Sequence, residues 1–373
     1  MPLLLPPMPD APSGDDLVAD PARRALLTGL GALFAGAGLS LMPRGAAAEW
    51  GEEPPPIDRP TWYNRPRGYD YYPPRYNRRP SYPQSGWQNR QSYPERPTYS
   101  PDAQRWASRD LNVSIQRYLT DQRERGRVAA NERTAWLVYD FTSGRFLATI
   151  NAGLPYQSAS MIKPFIALAF FHKVEDGTFD YTPFRREQME NMIQYSSNRA
   201  TNYFIGLLNE TSYRSGPAEA EHTLKRRNPG LFRGTRIVEY IPRSGRTYRN
   251  RASALDYHRF LQALWHDELP YSDEIKRVMN LPNRDRVFTG AREIPHGTLV
   301  FDKTGTTARL CGDMGILVAR GTDGRRYPYT FIGIIEKSRP TSRYTLWKNI
   351  RGNVIREVSN ITYNHMRQMY DLV

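Results

Sequence analysis

The chain has 373 residues and a formal net charge of +14. It is too long for one ordinary domain with short tails, and its single cysteine, Cys311, excludes an internal disulfide and a cysteine-based metal cluster. Residues 1–105 carry twelve Arg and eleven acidic residues, so a net charge of +13 falls on residues 106–373. A basic surface suits an anionic cell-wall polymer better than nucleic acid, because the chain has no zinc-finger spacing and no RNA-binding signature.

The N-terminal segment, residues 1–48, has the pattern of an export signal. Arg23 and Arg24 precede an apolar, Gly/Ala-rich run that extends to Met42, and three alanines ending at Ala48 form a small-residue cleavage pattern. The paired arginines resemble a twin-arginine signal, which predicts a periplasmic or cell-envelope location. The run is short and rich in glycine, so we expect no stable membrane span after cleavage. An uncleaved anchor is the alternative.

Residues 49–105 have the composition of a tether. Positions 50–105 contain 12 Pro and eight Tyr with interspersed Arg, and they show no apolar periodicity. Proline at this density prevents helices and central strands, which predicts a disordered or polyproline-like spacer. Tyrosine and arginine side chains in the spacer also suit contacts with wall glycans or another protein.

Residues 106–373 alternate between helical and strand patterns. Apolar spacing predicts helices near 111–119, 164–171, 184–208, 217–226, 253–266, 273–280 and 342–370, with a break in the third at Tyr195–Asn198. Strands are predicted at 134–140, 145–150, 298–301, 314–318 and 329–335. Two early strands, a block of helices, three late strands and a last helix indicate an α+β fold. One antiparallel sheet would be flanked by the terminal helices, with an all-helical subdomain inserted between its second and third strands.

The first candidate motif is Ser-x-x-Lys, formed by Ser160 and Lys163 at the start of the apolar helix. Residues three apart share one helix face, so a neutral lysine amine would be placed to take the serine proton. The helix N-terminus favours a developing oxyanion. Alone, the motif fits equally a helix-start serine beside a solvated lysine.

Two further motifs have the same ambiguity when each is taken alone. Ser196-Ser197-Asn198 supplies a hydroxyl for proton relay and an amide for substrate binding, or simply a helix N-cap. Lys303-Thr304-Gly305-Thr306 offers a cation and a hydroxyl to a substrate carboxylate, with a glycine that lets a substrate backbone approach the strand edge. A strand that ends in a turn is the alternative for the third motif.

Together, in this order, the three motifs resemble those of class A β-lactamases and penicillin-binding proteins. The resemblance covers residues 106–373. The stretch Ser196–Asn202 is similar to the family's Ser-Asp-Asn-x-Ala-x-Asn, with Ser197 in place of Asp, and Gly312–Ile316 resembles the strand that follows the lysine motif. The resemblance implies a serine hydrolase that uses an acyl-enzyme, no cofactor and no metal.

The resemblance also implies a role for each matched residue. Ser160 would be the acylated nucleophile, Lys163 its activator and Ser196 the proton relay to the leaving nitrogen. Asn198 would bind the substrate amide, and Lys303 and Thr304 would bind the carboxylate. Gly305 would leave room for the substrate, and the N–H groups of Ser160 and Thr306 would form the oxyanion hole.

The pattern fails at the deacylation step. Class A enzymes use a further glutamate, in a Glu-x-x-Leu-Asn loop that is absent here. Counting from Thr235-Arg236-Ile237, which resembles the start of that loop, places the expected glutamate at Ile241. Glu239 is the nearest acid, so it is the candidate base, with a surface carboxylate among arginines as the alternative.

Three hypotheses therefore stay open. The protein opens β-lactams and releases the product, or it is acylated, releases slowly and acts on D-alanyl peptides of the cell wall as a peptidase or transferase. The third hypothesis is a non-catalytic module that binds the wall through its tether and basic surface.

Overall fold

The structure is a computed structural model that describes residues 108–242 and 248–373. The export signal predicted at 1–48 and the tether predicted at 49–105 lie outside the described residues. Within the described part of the chain, no helix has both the length and the apolar character needed to cross a bilayer.

The described residues form seven strands and eight α-helices. The strands are β1 (Glu132–Asp140), β2 (Arg145–Ile150), β3 (Pro155–Gln157), β4 (Arg251–Ser253), β5 (Leu299–Thr306), β6 (Leu310–Arg320) and β7 (Arg326–Lys337). The helices are α1 (Leu111–Glu124), α2 (Lys163–Glu175), α3 (Pro183–Ile193), α4 (Asn198–Asn209), α5 (Gly216–Arg227), α6 (Ala254–Trp265), α7 (Ser272–Met279) and α8 (Tyr344–Tyr370).

Five strands form one antiparallel sheet in the order β2-β1-β7-β6-β5. Successive residues of a strand point to opposite faces, and β1 shows the result. Ala135 and Leu137 enter the core shared with the helical block, whereas Trp136 and Val138 enter the core beneath α1 and α8. Because both faces are covered, β6 is buried over all but its last residue.

The helical block is inserted between β2 and β5, as the sequence predicts, and α2 lies at its centre. All residues of α2 from Lys163 to His172 are buried, which explains the unbroken apolar run in that segment. The predicted α+β fold, an antiparallel sheet with flanking terminal helices and an all-helical subdomain, is confirmed.

One feature lies outside the sequence predictions: a small two-stranded sheet of β3 and β4. Pro155 pairs with Ser253 and Gln157 with Arg251. Three-residue strands carry too few residues to show a periodicity, so sequence patterns do not reveal them. This pairing fixes the segment that leads to Ser160 beside the segment that leads to α6.

Candidate active site

Ser160 lies on a tight turn rather than inside the α-helix. Residues Ala159–Ile162 form a 3₁₀ turn, and the α-helix begins only at Lys163. Ala159 has a left-handed backbone with φ +46°, which is uncommon for a residue other than glycine. Ala159 and Met161 are buried while Ser160 is partly exposed, so the turn presents the Ser160 side chain toward solvent.

The Lys163 side chain is fully buried and turned toward the break between α3 and α4. Its Nζ lies 3.1 Å from Ser196 Oγ and 3.0 Å from Asn198 Oδ1, and it also donates to the Ser196 carbonyl. Burial, reinforced by the charge of Lys303, holds the pKa of Lys163 well below its usual value. A neutral amine satisfies all three contacts when it donates to two oxygens and accepts the Ser196 hydroxyl proton. The Lys163 amine can therefore exchange a proton with the Ser196 hydroxyl.

The break between α3 and α4 performs two tasks with separate residues. Ser197 caps α4, because its side chain accepts the N–H of Ala200 at 3.2 Å. Ser196, with φ +59°, and Asn198 direct their side chains to Lys163 instead. The cap and the functional site therefore coexist in one loop.

The third motif lies on β5, which is the last strand of the sheet and so has a free edge. A Cβ added at Gly305 would lie 2.9 Å from Met161 Cγ and 3.1 Å from Ala159 Cβ. Glycine is thus required here because β5 packs against the turn that carries Ser160. The sequence predicts this glycine for the approach of a substrate, and the structure adds the approach of the protein's own backbone. Thr306 follows directly and lies beside the same turn, and Thr304 is half-buried on the same strand.

Lys303 and Arg286 place positive charge beside this strand. Burial lowers the pKa of Lys303 to about 8, with a further lowering by Arg286, while Asp302 and Asp313 act in the opposite direction. Arg286 is 8% exposed and donates to Thr306 Oγ1 at 2.7 Å and to the Gly312 carbonyl at 2.9 Å. Sequence reasoning missed Arg286 because it lies in an irregular segment with no motif. The two cations suit the binding of a carboxylate.

The structure places Glu239 away from these contacts. Its carboxylate accepts the Arg249 backbone N–H at 2.6 Å and the Arg249 Nε–H at 2.7 Å, and Asn250 bonds to its backbone carbonyl and N–H group. None of these four hydrogen bonds involves Ser160 or Lys163. Glu239 instead bonds to Arg249 and Asn250.

Ile241 occupies the position at which the family's glutamate is expected. Asn202 accepts the Ile241 backbone N–H at 2.8 Å and donates to its carbonyl at 3.0 Å. Asn202 is one turn along α4 from Asn198, which contacts Lys163, so the Ile241 backbone is held about one helical turn from a residue that bonds to the Lys163 amine. Its side chain is 7% exposed and belongs to the apolar core.

A comparison with known proteins finds a family model that matches just under half of the chain. Residues 185–366 match the model of the β-lactamase enzyme family. This domain is β-lactamase-like. The matched range includes Ser196, Asn198 and Lys303 and begins after Ser160. The resemblance to the class A β-lactamase-like family is thereby confirmed over the matched residues.

Solved structures share the architecture of the β-lactamase-like domain. A single-substitution variant of PBP-A, in an acyl-enzyme complex with penicillin G, is 20% identical with a TM-score of 0.54, covering 69% of this chain and 96% of that chain. An ancestral class A β-lactamase is 20% identical with a TM-score of 0.52, over 67% of this chain and 99% of that chain. A class A β-lactamase from Bacteroides cellulosilyticus DSM 14838 is 16% identical with a TM-score of 0.54, and the match covers 70% of this chain and 100% of that chain. At these identities the likeness shows a shared fold. No curated protein sequence matches the chain.

The described residues of the β-lactamase-like domain hold no cluster of three or more His, Cys, Asp or Glu side chains arranged for a metal ion. The groups that the structure brings together are the Ser196 hydroxyl, the Asn198 amide and the buried Lys163 amine, near the turn that carries Ser160 and the buried cations Lys303 and Arg286. That set can carry out acyl transfer with proton exchange.

Proposed function

We propose that Ser160 is acylated by β-lactams and by D-alanyl peptides of the cell wall, and that the acyl-enzyme is released slowly. The observation that carries the acylation step is the buried Lys163 amine beside Ser196; burial lowers the pKa of Lys163, which favours the neutral form. A neutral amine one turn from Ser160 can take the serine proton, and Ser196 can pass it to the leaving nitrogen.

The charge around β5 supports a substrate that carries a carboxylate. Lys303 and Arg286 are both buried, and Arg286 touches Thr306. β-Lactams and D-alanyl peptides each present a carboxylate next to the amide that is attacked. A charge-assisted hydrogen bond from Arg or Lys would fix that carboxylate and orient the amide toward Ser160.

We infer slow release from the residue at the position where the family's glutamate is expected. Hydrolysis of the acyl-enzyme needs a base to activate water, and the backbone position held by Asn202 carries Ile241, whose side chain has no proton acceptor. Glu239, the nearest acid, already accepts two hydrogen bonds from Arg249. These contacts favour a peptidase or transferase of the penicillin-binding type over a rapid β-lactamase.

A chromogenic cephalosporin tests this proposal, with turnover and the intact protein mass followed together. We expect a stoichiometric burst, a lasting mass adduct on Ser160 and little steady turnover. Ser160→Ala should abolish both signals. Rapid sustained turnover would replace the proposal with a true β-lactamase, and the lack of burst and adduct would refute acylation altogether. Release of D-alanine from a D-alanyl-D-alanine peptide tests the wall substrate directly.

We also infer that the protein acts outside the cytoplasm. The proposal rests on Arg23 and Arg24, on the apolar run that follows them and on the small residues that end at Ala48. Replacing both arginines with lysine should keep the protein in the cytoplasm if the twin-arginine route is used. Unchanged export would refute that route.

A further inference from the structure

A chain of buried hydrogen bonds surrounds the turn that carries Ser160. Tyr248 Oη donates to the Ala159 carbonyl at 2.6 Å and lies 3.1 Å from Ser158 Oγ. Gln157 Nε2 donates to the Tyr248 carbonyl at 2.8 Å, and Thr307 Oγ1 donates to Gln157 Oε1 at 2.8 Å. We call these four residues, Gln157, Ser158, Tyr248 and Thr307, the buried clasp.

The direction of each bond in the clasp is determined. The Tyr248 proton goes to the Ala159 carbonyl, so the Ser158 hydroxyl donates to Tyr248 Oη. Burial raises the pKa of Tyr248 far above its usual value, so the phenol stays protonated and remains a donor. All four clasp residues are at most 6% exposed, so water does not compete for these bonds.

One end of the clasp holds strained backbone. Ala159, with φ +46°, precedes Ser160 directly, and such a conformation persists only where the surroundings enforce it. The bond from Tyr248 to the Ala159 carbonyl is such a constraint. It fixes the plane of the peptide that joins Ala159 to Ser160, and that peptide carries the Ser160 N–H group.

The other end of the clasp reaches the second expected oxyanion donor. Thr307 follows Thr306 on the segment between β5 and β6, and its hydroxyl is bonded to Gln157. Gln157 in turn lies on β3, and its N–H donates to Glu336 of β7 at 3.0 Å. The clasp therefore connects the Ser160 peptide to the Thr306 segment through the Tyr248 side chain and backbone carbonyl and the Gln157 and Thr307 side chains.

We propose that Tyr248 is a positioning residue, which acts through the clasp to hold the two backbone N–H donors of Ser160 and Thr306 at the spacing that a tetrahedral oxyanion requires. This inference rests on the proposed acylation of Ser160. Tyr248 does not touch the substrate. Its hydroxyl sets the orientation of the Ala159–Ser160 peptide, and a small misplacement of a preorganised donor lowers the rate steeply.

The test compares two buried tyrosines in the full chain. Tyr248→Phe removes the hydroxyl and keeps the ring. Tyr363→Phe is the matched control, because the Tyr363 hydroxyl also donates to a backbone carbonyl, that of Val373 at 2.8 Å, in the core beneath α8. The measurements are the second-order acylation rate with a chromogenic cephalosporin, the affinity for a boronic acid that forms a tetrahedral adduct with serine, and the melting temperature.

We expect Tyr248→Phe to acylate about 10- to 100-fold more slowly and to bind the boronate more weakly by a similar factor. Tyr363→Phe should lower the melting temperature to a similar extent and leave both functional values within about twofold of the wild type. Ser158→Ala, which removes only the bond into Tyr248, should slow acylation by about 3- to 10-fold and serves if Tyr248→Phe does not fold.

Wild-type acylation rates in a folded Tyr248→Phe would overturn the positioning role, as would equal losses in the two tyrosine variants. If Tyr248→Phe does not fold, a wild-type rate in Ser158→Ala has the same meaning. A wild-type protein that forms neither the cephalosporin nor the boronate adduct would instead overturn the proposed function on which this inference rests.

Discussion

Replacing Ile241 with glutamate should convert slow release into turnover. Asn202 bonds to both the N–H and the carbonyl of Ile241, so the backbone at this position is fixed whichever side chain it carries. Asn198, one turn away, contacts the Lys163 amine. A carboxylate at position 241 is therefore introduced near the acyl-enzyme, where a general base contributes about 10²- to 10⁴-fold. We expect the release rate to rise by a factor in that range.

The same substitution has a cost in stability that the burial of Ile241 determines. The side chain is 7% exposed, so its removal from the core forfeits about 2 kcal/mol, and desolvation of the new carboxyl adds about 1 kcal/mol or more. A loss of about 3 kcal/mol lowers the melting temperature by roughly 6–12 °C for a domain of this size. Differential scanning calorimetry measures this change, and the intact mass after mixing with cephalosporin shows whether the variant is still acylated.

Ile241→Gln is the matched control, because glutamine has the same shape as glutamate and is not a base. It should lose similar stability and keep the slow release of the wild type. The reasoning is refuted if Ile241→Glu folds and is acylated but releases at the wild-type rate, or if Ile241→Gln accelerates release equally.

Three further predictions concern the neighbouring residues. Glu239→Gln should lower the unfolding free energy by no more than about 1 kcal/mol, because its partner Arg249 is 70% exposed. It should also leave the release rate of the acyl-enzyme unchanged; slower release would identify Glu239 as the base. Gly305→Ala should cost about 1–3 kcal/mol in chemical denaturation and slow acylation, because the new Cβ would lie 2.9 Å from a methionine side-chain carbon; wild-type values for both would contradict the close packing. The acylation rate should fall as the pH drops through the depressed pKa of Lys163, since only the neutral amine accepts a proton. Lys303→Met removes a neighbouring positive charge, so it should raise the pKa of Lys163 and move the acidic side of the pH–rate profile to higher pH. An unchanged profile would exclude an effect of the Lys303 charge on Lys163.

Much of the fold could be predicted because its elements carry strong periodicities. The run of apolar residues in β1 reflects burial on both faces of the sheet, and the unbroken apolar run of α2 reflects burial all round the helix; both segments form the predicted element. The predicted break at Tyr195–Asn198 also occurs, between α3 and α4. β5 continues through Lys303 to Thr306, as expected from the position of the lysine motif on this strand. The strands β6 and β7 are longer than the predicted 314–318 and 329–335, because their ends are held by pairing between strands rather than by apolar patterning.

Other features depend on contacts between distant segments, which local patterns do not record. Arg286 reaches Thr306 from twenty residues away in the chain, and β3 pairs with β4 although helices lie between them in the sequence. The contact of Glu239 with Arg249 likewise joins residues that are ten positions apart in the chain. Nothing in the local sequence distinguishes these residues from ordinary surface positions.

By itself, the sequence determined the chemical groups of this β-lactamase-like domain and their order: a serine and a lysine three residues apart, a Ser-Ser-Asn loop and a Lys-Thr-Gly strand. The tertiary structure decided the surroundings of each group. Burial lowers the pKa of Lys163, because charge is costly where water is excluded, and the hydrogen bonds from Asn202 hold an apolar residue at the position where a base is expected. The pKa of Lys163 and the position of Ile241 depend on the residues packed around them, so they follow from the fold and not from the local sequence.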